Sequence, residues 1–392
     1  MDGFKPKGAN VTVKEEQTFS KGLEDIVAAE SSICQIDGVN SKLFYRGYEI
    51  HDLAKNSNFE ETAYLLLYGE LPTESGLSDF RKKLAAEREI PKEIVAEIQG
   101  FPKSSNPMSA LRTAVSLLSF YDPEADDKSP ESNLRKSIRL ISKTPALVAC
   151  FGRARRGEKY VSPKTDPAVG IAANFLYMMK GKEVSELEAR MLDKYLVLLA
   201  EHDLNASTFA ACITVSTLSD LYSAMVSAVG TLKGDLHGSA NSRAMESILA
   251  IGDVNKVEAY VEDVLANKKK LMGFGHRVYK GPDPRAFDLK EMAKALTQNN
   301  PEQVRWYAIS EKLEKIVWEK KKLHCNVDFY SASVLYTLGI PIDFFTTIFG
   351  ISRMTGWAAH ALEQYKDNRL IRPVSSYIGH TNRTYTAIKD RR

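Results

Sequence analysis

The sequence predicts an all-α fold. No long segment alternates apolar and polar residues as a half-buried strand would, and nearly every segment beyond residue 50 has the periodicity of a helix. The 392 residues are 44% hydrophobic and 26% charged, which is typical of an ordinary globular protein. This length allows two domains, or one large domain with an additional element, and composition alone shows no boundary.

The N-terminal part is the exception to the helical pattern. Residues 1–20 are polar, and we expect them to be loosely structured. Residues 31–50 contain Asp37-Gly38 between short apolar runs, which predicts a small β-hairpin. The first ten residues have no apolar core of the kind found in a secretory signal.

Capping residues and prolines mark where the helices begin and end. Asn58 with Glu61 predicts a helix start, and Gly69 predicts its end. Ser185 with Glu188 predicts a second capped helix. Prolines, Pro145 among them, are expected to separate the helical segments. Further helices are predicted at 76–89, 107–120, 132–143, 167–180, 241–250, 255–269, 286–298, 302–322, 327–338 and 341–366.

Composition also excludes several classes of protein. The net charge of +3 is too small to indicate a nucleic-acid or membrane surface, and the short runs 268–270 and 320–322 of lysine are interpreted as solvated helix ends. The least polar segment, 206–230, is interrupted by Asp220, so it predicts two buried helices or one broken helix rather than a membrane span. The four widely spaced cysteines indicate a reducing compartment, so a cytoplasmic location is expected.

Three of the seven histidines lie in unusual surroundings. His202, His237 and His276 occupy Gly- or Asn-rich breaks between helices. One such histidine is more often structural than catalytic, but three together favour proton-transfer chemistry near neutral pH. Neither HxxxH nor HExxH spacing occurs, so no metal site is predicted.

The segment 271–286, LMGFGHRVYKGPDPRA, combines special backbone residues with cations. Its glycines allow close backbone approach, and its prolines restrict the chain. Arg277, Lys280 and Arg285 beside His276 indicate either a site for an anionic ligand or a solvated basic loop. Val278 stands where a dinucleotide-binding fingerprint needs its third glycine, which argues against a nicotinamide-dependent dehydrogenase.

Three further charged residues have a structural and a functional interpretation. Asp328 begins an apolar helix, where an acid is favoured by the helix dipole. Arg353 is the lone charge between residues 344 and 359, so it needs a carboxylate partner from the protein or from a ligand. Arg372, beside a proline near the C-terminus, is by default a surface residue.

Taken together, these motifs resemble those of the citrate synthase family, in the family's order, from about residue 20 to residue 379. The resemblance implies an α-helical homodimer with a large domain, 1–237 and 334–392, and a small mobile domain, 238–333. It also implies condensation of acetyl-CoA with oxaloacetate to give citrate and CoA, with no metal and no cofactor. The motifs are AEHDLNAST, LKGDLHGSAN, LMGFGHRVYKGPDPRA, NVDFYSAS, SRMTGWAAH and LIRP.

The same resemblance implies roles for individual residues. His237 corresponds to the donor to the thioester carbonyl, Asp328 to the base that removes a methyl proton, and His276 to the donor to the oxaloacetate ketone. Arg372 is expected to reach the site of the partner subunit. The oxaloacetate ligands would be His202, Arg285, Arg353 and Arg372. The CoA-binding residues would be Leu271, Met272, Gly273, Phe274 and Lys280.

The elementary chemistry of the reaction agrees with these roles. A thioester α-proton is weakly acidic, so a carboxylate base must act together with a donor to the enolate oxygen. Arginine forks suit the two carboxylates of oxaloacetate. The alternatives are a 2-methylcitrate synthase that uses propionyl-CoA and a non-catalytic CoA-binding relative. Asp235, Ser239 and Cys325 depart from the family pattern without removing a group that the mechanism needs.

Overall fold

The computed structural model describes residues 19–297 and 301–391. The chain divides into two compact units. The first ends at Ser32, and its described part contains one short 3-10 turn, Lys21–Leu23. The second, Ile33–Arg392, carries every predicted site residue. Most of the expectation for residues 1–20 lies outside the described residues.

A small antiparallel sheet opens the second unit. It contains β1 (Cys34–Asp37), β2 (Lys42–Tyr45) and β3 (Tyr48–Glu49), in the order β1-β2-β3. In the first pair Asp37 is opposite Lys42 and Cys34 is opposite Tyr45. The predicted hairpin is therefore confirmed, and a short third strand extends it.

Helices make up the remainder, so the predicted all-α class is confirmed. The helices of the described residues are α1 (Ile50–Asn56), α2 (Phe59–Tyr68), α3 (Glu74–Ala86), α4 (Lys92–Gly100), α5 (Pro107–Leu118), α6 (Pro130–Arg155), α7 (Ile171–Lys180), α8 (Glu186–Leu199), α9 (Ala206–Ser216), α10 (Leu221–Leu232), α11 (Ala240–Ile251), α12 (Val257–Ala266), α13 (Pro284–Thr297), α14 (Pro301–Lys321), α15 (Val327–Thr337) and α16 (Phe345–Lys366).

The predicted caps are present. The Asn58 side chain accepts a hydrogen bond from the Glu61 backbone N–H, and Gly69 ends α2 in the left-handed conformation. Ser185 and Glu188 form a complete capping box at α8. The apolar segment 206–230 forms two helices, α9 and α10, and Asp220 caps the second by accepting from a backbone N–H.

The prediction that Pro145 separates two helices is wrong. Helix α6 continues through Pro145 from Pro130 to Arg155. A proline inside a helix costs about 3 kcal/mol. However, α6 packs against α4, α5, α7 and α16, and the buried apolar surface offsets that cost. Helix α7 begins at Ile171 rather than at 167, and helices α1 and α4 were not predicted.

The core is organised around α16. All seventeen residues from Phe345 to Ala361 are buried, and the helix packs against α6, α8, α9 and α10. Helices α11, α13, α14 and α15 pack on one another. The first three lie within the predicted small domain, and its predicted end at residue 333 falls inside α15. The division at residues 238 and 333 stays a prediction. No helix of the described residues is both long and apolar enough to cross a membrane.

Candidate active site

The three residues predicted to be catalytic line one cleft, whose volume is about 810 Å³. His237 comes from the break between α10 and α11, His276 from the loop before α13, and Asp328 from the first turn of α15. The same cleft is lined by the predicted CoA-binding residues Leu271, Met272, Gly273 and Phe274. The structure therefore brings together residues that lie far apart in the sequence, such as His237 and Asp328.

Cations also line this cleft. They are Lys268, Lys269, Lys270, Arg277 and Lys321. The interpretation of the two lysine runs as solvated helix ends is therefore incomplete, because both runs contribute to the cleft. A concentration of positive charge of this kind suits a ligand that carries phosphate groups.

Asn326 holds the glycine-rich loop against the start of α15. Its side chain caps α15 by accepting from the Asp328 backbone N–H at 3.0 Å, and its amide donates to the Gly275 carbonyl at 2.8 Å. Its own backbone N–H donates to the Gly273 carbonyl at 2.9 Å. Gly273 has φ +82°, and a Cβ there would lie 2.9 Å from Cβ of Phe329, so only glycine fits. These contacts fix Asp328 relative to the loop.

The Asp328 carboxyl is unusually basic. Its removal from water raises its pKa to about 7, Arg285 and Arg353 partly oppose that rise, and Asp283 adds to it. No donor to this carboxylate is found in the described part of the chain. A carboxylate with a pKa close to neutrality is suited to take a proton from a weak carbon acid.

His237 belongs to a hydrogen-bonded chain that begins at a tryptophan. His237 Nε2 lies 2.7 Å from the Ser207 hydroxyl, which accepts from Trp357 Nε1 at 3.1 Å. The hydroxyl also lies 2.8 Å from the Asn205 side-chain carbonyl oxygen. Burial and the charge of Arg353 lower the pKa of His237 to about 4, so the ring is neutral at pH 7. Nδ1 has no partner among the described residues.

The backbone determines the tautomer of His276. Its Nδ1 accepts from the backbone N–H groups of Val278 at 3.0 Å and of Tyr279 at 3.2 Å. The proton of the neutral ring is therefore on Nε2, which remains a donor. Burial and the charge of Arg285 lower the pKa of His276 to about 4, which keeps the ring neutral.

His202 lies beside His276. The two ring centroids are 5.4 Å apart, and His202 Nε2 lies 3.2 Å from the Tyr279 hydroxyl. Burial, together with Arg285 and Arg353, lowers the pKa of His202 well below its usual value. Three neutral polar rings, those of His202, His276 and Tyr279, thus form one cluster beside two guanidinium groups.

Arg285 is held by a carboxylate that the sequence analysis did not single out. The side chains of Arg285 and Asp283 are both 2% exposed or less, and their bidentate hydrogen bonds measure 3.0 and 2.9 Å. Asp283 also accepts from the Val327 backbone N–H at 2.9 Å. Asp283 thereby positions Arg285 and joins the loop 271–283, called the ligand loop below, to α15.

Arg353 is buried without complete pairing. It is 1% exposed, its Nε donates to the Leu199 carbonyl at 2.8 Å, and its guanidinium lies 4.8 Å from the Phe349 ring centre. Within residues 19–297 and 301–391 no acceptor is found for its two terminal amino groups. Burial lowers its pKa, against the opposing charge of Glu201, but leaves it a cation at neutral pH. Such a residue favours an anionic ligand.

His360, which the sequence analysis treated as ordinary, pairs with Glu201 behind Arg353. Its Nε2 lies 3.1 Å from Glu201 Oε1, and both side chains are buried. Burial alone would lower the pKa of His360, but the Glu201 carboxylate outweighs it and the net pKa is raised. Glu201 follows α8 directly in the chain, and its Oε1 also accepts from the His202 backbone N–H at 2.8 Å.

Five predicted ligands are not among the residues that line the cleft. Three of them, His202, Arg285 and Arg353, belong to the buried groups described above, and the other two lie elsewhere. Lys280 is exposed and is not among the residues lining the cleft, although its backbone belongs to the ligand loop. Arg372 is exposed in the segment that follows α16, also outside the cleft lining. Their assignments to CoA phosphate and to the partner's site stay predictions.

The sequence analysis missed Ser207, Tyr279, Asp283 and Trp357. Ser207 and Tyr279 lie inside motifs in which only the histidines and charged residues were considered as candidates. Asp283 could have been found from the sequence. It lies between two prolines and two positions before Arg285, so it is a candidate ion-pair partner for that arginine. Trp357 carried no signal, since a tryptophan in an apolar helix is usually a core residue.

Comparison with known proteins gives a consistent result. The family model described as citrate synthase, C-terminal domain, matches residues 22–374. Citrate synthase 2 of Bacillus subtilis (strain 168) is 49% identical over 95% of this chain and 100% of its own length. The chain belongs to the citrate synthase family. A Haloferax volcanii family member named citrate synthase is 45% identical over 95% of this chain and 99% of its own length.

Structural similarity supports the same family. A citrate synthase from Thermoplasma acidophilum, solved as a ternary complex with carboxymethyl coenzyme A and oxaloacetate, has a TM-score of 0.90 at 34% identity, covering 95% of this chain and 100% of that one. A family member named 2-methylcitrate synthase shares less sequence identity with this chain than the two relatives above. The 2-methylcitrate synthase of Shewanella oneidensis is 39% identical over 94% of this chain and 97% of its own length.

Proposed function

We propose that this citrate synthase family enzyme condenses acetyl-CoA with oxaloacetate and water to give citrate and CoA. The observation that carries the proposal is the placement of Asp328, with its pKa of about 7, in one cleft with two neutral histidines. The reaction needs a base for a weak carbon acid and two donors for developing oxyanions. These side chains can supply all three groups without a cofactor.

In the first step Asp328 takes a proton from the methyl carbon of the thioester, and the carbonyl oxygen becomes an enolate oxygen. His237 donates to that oxygen from Nδ1, because Nε2 is engaged by Ser207. The Ser207 hydroxyl is placed to donate either to the Asn205 side-chain oxygen or to Nε2 of His237. The proposed role requires it to donate to Nε2, which holds the ring proton of His237 on Nδ1.

In the second step the enolate carbon attacks the ketone carbon of oxaloacetate. A carbon–carbon bond forms, and the ketone oxygen becomes an alkoxide that accepts from His276 Nε2. His202, Arg285 and Arg353 hold the carboxylates, since the guanidinium groups are fixed cations beside His276. Water then cleaves the thioester bond and releases citrate and CoA.

We also propose a homodimer in which Arg372 contributes to the site of the partner subunit. The segment after α16 exposes large apolar side chains, with Leu370 57%, Tyr377 70% and Ile378 96% exposed. A cluster of exposed apolar residues is typical of a surface that another chain covers. A cytoplasmic location is supported by the four unpaired cysteines of the described residues.

A thiol-release assay with oxaloacetate and each acyl-CoA tests the proposal. We expect faster turnover with acetyl-CoA than with propionyl-CoA, because the relatives that are 49% and 45% identical to this chain are named citrate synthase. A single methyl group changes pocket binding by about 1–3 kcal/mol, so the preference must be measured. Faster turnover with propionyl-CoA would favour the 2-methylcitrate synthase alternative, and no thiol release with either would contradict both.

A further inference from the structure

The turn between β1 and β2 lies directly against the ligand loop. The Lys280 backbone N–H donates to the Gly38 carbonyl at 2.8 Å. A Cβ added at Gly38 would lie 2.5 Å from the carbonyl oxygen of Val278, which is closer than real Cβ atoms approach backbone oxygens. The two backbones therefore meet with no room for a side chain at residue 38.

A second close approach occurs three residues further along each segment. A Cβ at Gly281 would lie 2.6 Å from the Ser41 hydroxyl oxygen. The turn therefore lies close to the ligand loop on both sides of Lys280. His276, whose Nδ1 accepts from Val278 and Tyr279, lies within the same short stretch.

The turn itself is rigid. One Asp37 carboxylate oxygen accepts from the backbone N–H groups of Val39 at 3.1 Å and of Asn40 at 2.9 Å. The other accepts from the Asn40 side-chain amide at 2.7 Å. Because its side chain stabilises the turn from within, Asp37 presents the Gly38 carbonyl in one orientation.

The other end of the hairpin is anchored beside His202. Tyr45 is fully buried, and its hydroxyl lies 2.8 Å from the Glu201 carbonyl and accepts from the Glu201 backbone N–H at 3.2 Å. The hairpin therefore contacts the chain next to His202 with one end and next to His276 with the other. Downstream in the chain, His51 of α1 pairs with Asp288 of α13 at 2.6 Å.

We propose that the β1–β2 turn positions the ligand loop, through the backbone contact at Gly38, in the conformation that binds oxaloacetate. Gly38 is a positioning residue, since no atom of the turn contacts the reacting groups. Without this contact the loop would populate other conformations, and the ligand would bind only the competent fraction. The apparent affinity falls by that fraction, while turnover of the bound complex is preserved.

The experiment compares Gly38→Ala with Val39→Ala. Val39 is in the same turn and 79% exposed, so its truncation alters the turn without meeting Val278. We expect Gly38→Ala to raise KM for oxaloacetate about tenfold with kcat within about threefold of the parent. Val39→Ala should leave both constants unchanged. Equal effects of the two variants, or a fall in kcat alone, would overturn the proposal.

Because this inference rests on the proposed function, a readout that needs no turnover accompanies it. Hydrogen exchange of the Lys280 amide reports its bond to Gly38 directly. We expect protection in the parent and in Val39→Ala, and its loss in Gly38→Ala. Unchanged protection of the Lys280 amide in Gly38→Ala would show that the close contact at residue 38 does not hold the loop, and it would overturn the proposal. Absence of turnover in the parent would instead contradict the proposed function.

Asp37→Ala provides a second variant if Gly38→Ala does not fold. It removes the three hydrogen bonds within the turn but adds no atom near the loop. We expect the same rise in KM for oxaloacetate and the same loss of Lys280 protection, both smaller than for Gly38→Ala. A parental KM together with parental protection would count against the turn as a positioning element.

Discussion

At the scale of single residues, the pKa values of two nearby carboxyl groups, those of Asp283 and Asp328, are shifted in opposite directions. Burial raises the pKa of Asp283, but Arg285 and the Val327 N–H outweigh this and the net pKa is lowered. Asp328 has no such donors among the described residues, and burial raises its pKa to about 7. One carboxylate is therefore a permanent structural anion, and the other can exchange a proton.

Replacing Asp328 by Asn tests the proposed base. The amide keeps the shape but cannot accept a proton, so kcat should fall ~100-fold or more with KM for oxaloacetate nearly unchanged. Thiol release at saturating substrates measures this. Asp52→Asn is a matched control, because Asp52 is an exposed acid in the first turn of α1. Activity of Asp328→Asn close to that of the parent would remove Asp328 from the mechanism.

The pH dependence follows from the raised pKa of Asp328. A base works when deprotonated, so kcat/KM should rise as pH increases through about 7 and level off above it. His237 and His276, with pKa values of about 4, stay neutral across this range, so neither adds a further change of slope to the pH profile. A profile of kcat/KM between pH 5 and 9 checks this, and a flat profile from pH 5 upward would contradict it.

Ser207→Ala tests the hydrogen bond that selects the His237 tautomer. Without the hydroxyl, Nε2 can hold the ring proton, and the donor at Nδ1 is lost in part of the population. We expect kcat to fall about tenfold with little change in KM for oxaloacetate. Ser137→Ala is the control, because Ser137 is also buried but bonds only to the Asn133 carbonyl of its own helix. Unchanged kcat in Ser207→Ala would argue against this role.

At the scale of elements, the cleft lies between loops and helix ends from both parts of the predicted domain division. His237 ends the large-domain segment, whereas His276 and Asp328 belong to the small-domain segment. The contacts at Gly38 and at His51–Asp288 join the same two segments. A ligand that contacts both segments should therefore stabilise their closed arrangement.

Closure predicts coupling between the two substrates. Bound oxaloacetate would draw the small-domain segment inward and complete the CoA-binding surface, so the affinity for an unreactive CoA analogue should rise about five- to tenfold or more. Calorimetric titration of the analogue with and without oxaloacetate measures this. Equal dissociation constants in the two titrations would contradict the prediction.

At the scale of the whole molecule, the proposed homodimer predicts complementation between two inactive variants. If Arg372 serves the partner's site while Asp328 serves its own, Arg372→Ala and Asp328→Asn homodimers should both be nearly inactive. After dissociation and random reassociation, about half of the dimers are mixed, and each has one site with both residues intact. Recovery of about a quarter of parental activity is expected.

Mixing the two variants without dissociation is the control for this experiment, and it should restore little activity. If Arg372 is instead a surface residue of its own subunit, Arg372→Ala would be active alone. If Arg372 completes its own subunit's site, no mixture would recover. Either of these results would contradict shared sites.

The sequence by itself determined the helical class, the hairpin at Asp37-Gly38, the caps at Asn58 and Ser185, and the interruption of the apolar segment at Asp220. These features depend on residues within a few positions of one another, so local chemistry suffices. The motifs also identified the histidines and Asp328, since their residue types suit proton transfer. Pro145 marks the limit of local reasoning, because the packing of α6 on several other helices outweighs its helix-breaking tendency.

Only the tertiary structure decided how those residues act. The pKa of Asp328 depends on burial and on charges contributed by α13 and α16. The residues adjacent to Asp328 in the sequence reveal neither the burial nor these charges. The Ser207–His237 bond joins residues thirty positions apart, and the turn at Gly38 meets a loop more than two hundred positions away. Electrostatic and packing energies depend on distance and dielectric environment, and the folded chain sets both.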